Sequence, residues 1–378
     1  MLNRIQLTNF KASRNLNVRL APLTVLAGLN GSGKSSLLQA VGAIRQSYDV
    51  AGVSHGLVLG GELVQLGQGS DVLNEDASDD KISVEISEND LSYTWVCTAE
   101  TERNHLLFTA MPDEPPAFIG VGKFQFLQAD RIVPATLYPQ ATPFASAAGF
   151  LGVRGEFTAD FLATNQGLEV SPHRYFKREG LGLSEELFGK VAPTTRLSDQ
   201  VAGWLQQLSP GVRFSATRVK GTDEVSLQFS YVGKTRERES GSQFRPTNVG
   251  FGLTYSLPII TACLSSTEGS LLLIENPEAH IHPQGQVALG ELLARCANDG
   301  VQIIVETHSD HVLNGICLAV KNIERVRSES IALHFFSRDV ATGEVAVTSP
   351  AVLEGGQLSN WPEGFFDQWD KSVNALLS

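Results

Sequence analysis

The chain has 378 residues, 42% of them apolar and 19% charged, with a formal net charge of -12 at pH 7. That length suggests about two domains, and the composition is that of a globular protein. The acidic balance argues against a generally basic, nucleic-acid-coating surface, and no apolar run reaches the ~18 residues that a membrane helix needs.

Cys97, Cys263, Cys296 and Cys317 form no CxxC pair. They read as buried, reduced thiols of a cytoplasmic protein rather than as a zinc ribbon or a redox motif. The N-terminal MLNRIQLTNFKAS lacks the continuous apolar stretch of a signal peptide.

In chain order, Ile5 and Leu7, then Leu16, Val18 and Leu20, alternate with polar residues, which predicts antiparallel strands. PLTVLAG (22–28) reads as a strand buried on both faces, and GKSSLLQAVGAIRQ (33–46) as a helix. KISVEIS and LSYTWVCTAE predict a hairpin around Asn89 and Asp90. KFQFLQADRIVP (123–134) reads as a strand leaving into a loop. Residues 135–200 carry short helical signals but no heptads, so no long coiled coil is expected. LSDQVAGWLQQLSPG (197–211) predicts an amphipathic helix, and the segment from Val212 predicts a second hairpin. Leu271–Ile274 and Val301–Val305 read as buried strands around a helix, Pro283–Asn298, in a parallel crossover. Ser309 caps a further helix, Asp310–Lys321, whose apolar face includes Val312, Leu313, Ile316 and Val320. IALHFF and EVAVTS close the chain's regular structure as a hairpin.

Three segments carry chemistry. GLNGSGKS (28–35) matches G-x-x-x-x-G-K-[ST] between a buried strand and a helix. Asn30, Gly31, Ser32, Gly33, Lys34, Ser35 and Ser36 are therefore the candidate cradle for the phosphates of ATP. Lys34 is expected at the β- and γ-phosphates, and Ser35 at Mg²⁺. NVGFGLTYSLP (248–258) is a glycine-rich turn at a helix start, a second anion-facing nest. ETHSDHVL (306–313) puts His308 just past a buried strand, the edge where parallel sheets bind ligands.

LTNFKA, followed by APLTVLAGLNGSGKSSLLQA, resembles the head of the ABC-type ATPases of the SMC, RecF and OLD group. The resemblance implies an α/β fold: a P-loop ABC-type head with an antiparallel β-subdomain and a helical insertion. It divides the chain into an N-terminal ATPase lobe (1–134), an insertion (135–245), a C-terminal ATPase lobe (246–340) and a tail (341–378). It also implies a homodimer or higher homo-oligomer closed around ATP, with Gly250, Gly252 and Thr254 facing the partner's γ-phosphate. More narrowly, LQADRIVP, IENPEAHIHPQGQ, VETHSDHVLNGI and GQLSNWPEGFFDQWD are similar to one branch of bacterial AAA/ABC ATPases. That branch ends in a segment of unknown function and is often met beside genes for defence against phage.

Heads of this kind end their carboxylate strand in Asp-Glu-Pro. Here Glu275 takes the metal-ordering place beside Ser35, and Asn276 stands where the water-polarising acid belongs. An amide accepts a hydrogen bond from water but takes no proton, and losing a general base costs about 10²–10⁴-fold. Glu278 is the nearest replacement acid, and His308 is expected at the γ-phosphate or the attacking water. The expectation is a slow or partner-stimulated ATPase that acts as a timed switch on a separate effector, a nuclease or toxin. The alternatives are a non-hydrolysing ATP-bound scaffold and a RecF-like DNA-repair ATPase.

Other residues remain open at this level. His280 and His282 either bridge a dimer or, with Glu278, bind zinc. Arg131 reads equally as a phosphate or interface arginine and as a loop-locking one. Gln65 or Gln68 is the candidate γ-phosphate-sensing glutamine. Arg218, Lys220, Lys234, Arg236, Arg238 and Arg245 read as a solvated hairpin, with a nucleic-acid groove across a dimer as the alternative. Trp361, Phe365, Phe366 and Trp369 read as anchors of a lid or of a docking site. No acid cluster of a TOPRIM nuclease follows His308, so any nuclease is expected to be a second protein.

Overall fold

The alternation at the start of the chain becomes strand pairing in the computed structural model. The structure describes residues 1–50, 56–176, 192–232, 243–339, 342–362, 364, 372, 373, 375 and 376. β1 (Leu2–Phe10) and β2 (Ser13–Arg19) run antiparallel, with Ile5 opposite Val18 and Leu7 opposite Leu16. All four side chains are buried, so one face of this ribbon is core. β3 (Leu23–Gly28) follows and leads into α1 (Lys34–Asp49). After these come β4 (Gly56–Val58), α2 (Gly69–Val72), β5 (Lys81–Glu88), β6 (Leu91–Thr98) and β7 (His105–Ala110). They complete an antiparallel sheet in the order β2-β1-β5-β6-β7-β4. Asn89 turns the β5–β6 hairpin at φ 54°, a left-handed angle that asparagine tolerates. β7 buries only Leu106, which leaves no period for the sequence to show.

These elements belong to the first of two compact units, Met1–Gly120 with Gln302–His308 and Arg327–Ser378. The second is Val121–Val301 with Ser309–Val326. It opens with β8 (Phe124–Leu127), β9 (Leu137–Pro139), α3 (Pro143–Ala148) and α4 (Thr158–Thr164). α5 (Leu197–Leu205) ends earlier than the expected residue 211. Gln206 reverses the chain there: its amide donates to Val212 O, and its Oε1 accepts from Gly211 N at 2.6 Å. β10 (Val212–Arg218) and β11 (Glu224–Tyr231) form the expected hairpin and join β9 in a three-stranded sheet. α6 (Phe251–Ser265), β12 (Leu271–Glu275), α7 (Pro283–Asn298) and α8 (Asp310–Asn322) follow. β12 pairs with β8 in parallel. Ser309 caps α8 as expected, accepting from Val312 N at 3.1 Å. α7 and α8 meet at two glycines: a Cβ on Gly290 would lie 2.2 Å from Val312 O, and one on Gly315 2.0 Å from Val287 O.

The first unit is completed by β13 (Gln302–Glu306), β14 (Ile331–Arg338) and β15 (Val345–Thr348). β13 and β14 flank β3 in parallel, and β15 pairs antiparallel with β14. A strand hydrogen-bonded on both sides under two covered faces is mostly apolar, and β3 is buried from Leu23 to Ala27 with Thr24 as its one polar side chain. Gly28 ends it at φ 139°, where a Cβ would lie 2.2 Å from Phe336 O.

Of the basic set, Lys234, Arg236 and Arg238 lie outside the described residues, as do Phe365, Phe366 and Trp369 of the aromatic set. Arg218 grips the buried Asp160 through two bonds of 2.6 and 2.9 Å. Lys220, Arg245 and Trp361 are exposed.

Candidate functional site

In the first unit the chain turns from β3 into α1 around Lys34. Its ammonium donates to Gly28 O at 3.0 Å and Leu29 O at 2.8 Å. Gly31 and Gly33 take left-handed angles of 75° and 93°, which allow this tight wrap. Ser32 closes it, its hydroxyl donating to Leu29 O at 2.7 Å. α1 begins with no side-chain cap and no acid in its first turn. Such a helix start presents backbone N–H groups and a positive dipole end to an anion. Asn30 and Gly31 are exposed, Ser35 is half-buried, and Ser36 is buried.

Lys34 is 3% exposed, and burial lowers its pKa while Glu306 opposes the shift. Glu306, the last residue of β13, places Oε1 3.6 Å from the Lys34 ammonium. Its Oε2 is buried and has no hydrogen-bond partner among the described residues. His308, two residues further on, is exposed.

Beside this turn lies a groove of about 850 Å³, lined by Thr8, Ala12, Ser13, Arg14, Asn74 and Val345 among others. It reaches the cradle: a Cβ on Gly33 would lie 3.4 Å from Val345, 3.6 Å from Ser13 Oγ and 3.7 Å from Ala12. Ser13 Oγ is buried without a hydrogen-bond partner among the described residues. Two orphaned buried oxygens and an uncapped helix start suit a polyanion with its cation, so the residues present fit a metal-bound nucleoside triphosphate.

The two candidate sensing glutamines separate here. Gln68 is used structurally, capping α2 in a capping box with Asp71. Gln65 is exposed in a loop pinned by Gln46, which donates to Val58 O at 2.7 Å and accepts from Val64 N at 3.0 Å.

In the second unit β12 delivers Glu275, half-buried, with Oε2 accepting from Ala129 N at 3.0 Å. Arg131 is fully buried and holds the strand end through its main chain. It donates to Gln128 O at 3.0 Å, to Glu275 O at 2.7 Å and to Asn276 O. Its guanidinium also lies 5.7 Å from the centre of the Tyr255 ring. Burial pushes its pKa down to about 10, with Glu278, Tyr255 and Glu275 opposing, so it stays charged at neutral pH. Of the two readings of Arg131, the structure supports the loop-locking one.

Asn276 sits at φ 44°, a left-handed angle that asparagine adopts more readily than glutamate. The amide is therefore the residue this turn's backbone asks for. Its Oδ1 is buried with no hydrogen-bond partner among the described residues. Glu278 is half-buried in the same turn.

The two histidines beyond it diverge. His280, at φ 62°, packs its ring 4.6 Å from Tyr255 and 5.6 Å from Phe251. His282 caps α7, accepting from Gln284 N. Among the described residues no three His, Cys, Asp or Glu side chains gather to hold a metal ion.

Gly250 is the exposed N-cap residue of α6. A Cβ on Gly252 would lie 2.7 Å from His280 O, so this glycine serves backbone packing. Thr254, which the resemblance sets with the two glycines at a partner's γ-phosphate, is 2% exposed within this chain. One helical turn past the cap, its position faces the core.

Sequence reasoning missed Glu306. The available signal was an acid ending a buried strand, directly before the Thr-His pair. Gln46 was missed because a glutamine in the last turn of a helix carries no pattern.

Family models match three segments. An "AAA ATPase domain" model covers 1–92, an "AAA domain, putative AbiEii toxin, Type IV TA system" model covers 160–314, and a "Protein of unknown function (DUF3696)" model covers 326–376. No curated protein matches the sequence. Among solved structures, the chain is similar to an SMC head bound to the C-winged helix domain of ScpA, at 14% identity and TM-score 0.49, covering 93% of this chain and 98% of that one. It is similar to the SMC head domain from Thermotoga maritima at 13% identity and TM-score 0.42, covering 92% and 98%. It is also similar to an SMC head with an extended coiled coil, bound to the C-terminal domain of ScpA derived from Pyrococcus furiosus, at 11% identity and TM-score 0.47, covering 100% and 99%. With one AAA match over the glycine-rich cradle and its lysine, and a second over the strand-end acids, the chain is identified as an ATP-binding P-loop ATPase of the AAA type.

Proposed function

We propose that this ATPase is a slow, ATP-timed switch that dimerises around nucleotide and controls a separate effector, a nuclease or toxin, in defence against phage. The observation that carries the slow step is Asn276: an amide, in a backbone conformation suited to asparagine, at the end of the acid-bearing strand. It can orient a water but cannot take its proton, and phosphoryl transfer tolerates this because positioning and charge do most of the work.

Within the first unit, Lys34 and the backbone of residues 30–36 hold the phosphates, and Ser35 offers its hydroxyl to Mg²⁺. Bound Mg²⁺ supplies charge neutralisation on the phosphate oxygens. His308 is the group for the γ-phosphate, and Gln65 the sensing glutamine. The groove lined by Ala12 and Ser13 takes the nucleoside. Within the second unit, Glu275 is the metal-directed acid and Glu278 the replacement carboxylate. The exposed Phe251 beside Gly250 suits a surface that meets a second copy of the chain.

The test is phosphate release by the purified chain and by Asn276→Glu. The wild type is expected to turn over well below the ~10 s⁻¹ typical of enzymes. Asn276→Glu is expected to gain about tenfold or more, despite ~1 kcal/mol of strain from a glutamate at positive φ. A variant that melts like the wild type and gains nothing would sink the missing-base account. A silent wild type with an active Asn276→Glu supports the second reading, an ATP-held scaffold, which the same amide favours.

Placement of the nucleoside has its own check. Ala12→Trp fills the groove beside Gly33 and is expected to weaken ATP binding about tenfold or more by calorimetry. Unchanged affinity in the folded variant puts the nucleoside elsewhere.

A further inference from the structure

Glu306 has no place in the reading above. Its backbone is fixed by β13, where it stands opposite Leu26 of β3. Its side chain is nine-tenths buried at the cradle, with Oε1 3.6 Å from the Lys34 ammonium. Oε2 meets no hydrogen-bond donor among the described residues, which is costly for a buried carboxylate and calls for a function or a missing partner. The rest of the Lys34 hydrogen bonding goes to two uncharged carbonyls. The positive charge of the cradle lysine is therefore already balanced within the protein.

We propose that Glu306 makes the cradle select the metal complex of a nucleoside triphosphate over the metal-free nucleotide. This rests on the reading that the cradle binds a triphosphate. A metal-free triphosphate brings about four negative charges toward a lysine whose charge Glu306 offsets, and it meets the carboxylate's repulsion at short range. The metal complex brings two compensating positive charges, and a water on the metal gives Oε2 the donor it lacks. A purely structural Lys34–Glu306 pair predicts something different: removing the acid would loosen the cradle and weaken both nucleotide forms together.

The experiment is calorimetric titration of the full chain with ATP in EDTA and with ATP in excess Mg²⁺, for the wild type, Glu306→Gln and Glu306→Asp. In Glu306→Gln, binding of metal-free ATP is expected to tighten about tenfold or more, with Mg·ATP changing less than about threefold. Glu306→Asp keeps the charge and is expected to keep the preference. An unchanged ratio of the two affinities in a folded Glu306→Gln overturns the proposal. So does a wild type that binds metal-free ATP as tightly as Mg·ATP, whatever the variants do. A wild type that binds neither form overturns the triphosphate cradle itself, a separate failure. If Glu306→Gln does not fold, Glu306→Met is read in the same way.

Discussion

Lys34→Ala is expected to abolish phosphate release and to weaken ATP binding about 10- to 100-fold. In the proposed binding mode the ammonium would make charge-assisted hydrogen bonds to phosphate, each worth about 1.5–3 kcal/mol, and that is one to two decades in dissociation constant. The substitution also reaches stability. Lys34 and Glu306 are both buried, at 3% and 7% side-chain exposure, and alanine leaves the acid as an uncompensated buried charge. Breaking such a pair costs about 3–5 kcal/mol. The double variant Lys34→Ala/Glu306→Gln separates the two effects, because it removes both charges at once. Its melting temperature should recover most of the loss of the single variant, while ATP binding stays weak. Thermal melts beside calorimetry give both readings. Wild-type turnover in Lys34→Ala would remove this loop from the chemistry.

Arg131→Met should be the most destabilising single change in the second unit. The guanidinium is fully buried and serves three main-chain carbonyls, those of Gln128, Glu275 and Asn276. Methionine fills part of the volume but leaves those acceptors without their donors, at about 1–3 kcal/mol for each one that stays buried. The sum is several kcal/mol, and the melting temperature should fall by roughly 10 °C for a unit of this size. Arg131→Lys keeps the charge but not the planar fork, so an intermediate loss is expected. Turnover should fall with stability in both, since two of the carbonyls belong to the residues that end the acid-bearing strand. A melt of Arg131→Met within about 2 °C of the wild type would show that the strand end holds its shape without this residue.

The comparison of sequence with structure turns on the range of each signal. The paired alternation of β1 and β2, the apolar run of β3 and the cap at Ser309 are local patterns, and each is found where its residues predict it. The loop of residues 28–35 is legible for the same reason, because a glycine-lysine spacing is itself the backbone geometry. β4 is only three residues long and β7 buries only Leu106, so neither leaves a period. The Gln206 contacts that cut α5 short depend on a turn folding back on the helix.

Legible in the sequence are a glycine-rich turn with Lys34 that opens a helix, a buried strand that ends at Glu275 just before Asn276, and a further strand that ends before His308. Such features are written within a few residues of one another. The pairing of Glu306 with Lys34, the locking of the end of β12 by Arg131 and the burial of Thr254 emerge from the fold alone. A buried charge acquires its meaning from its partner, and these partners come from strands and loops that the folded sheets bring together.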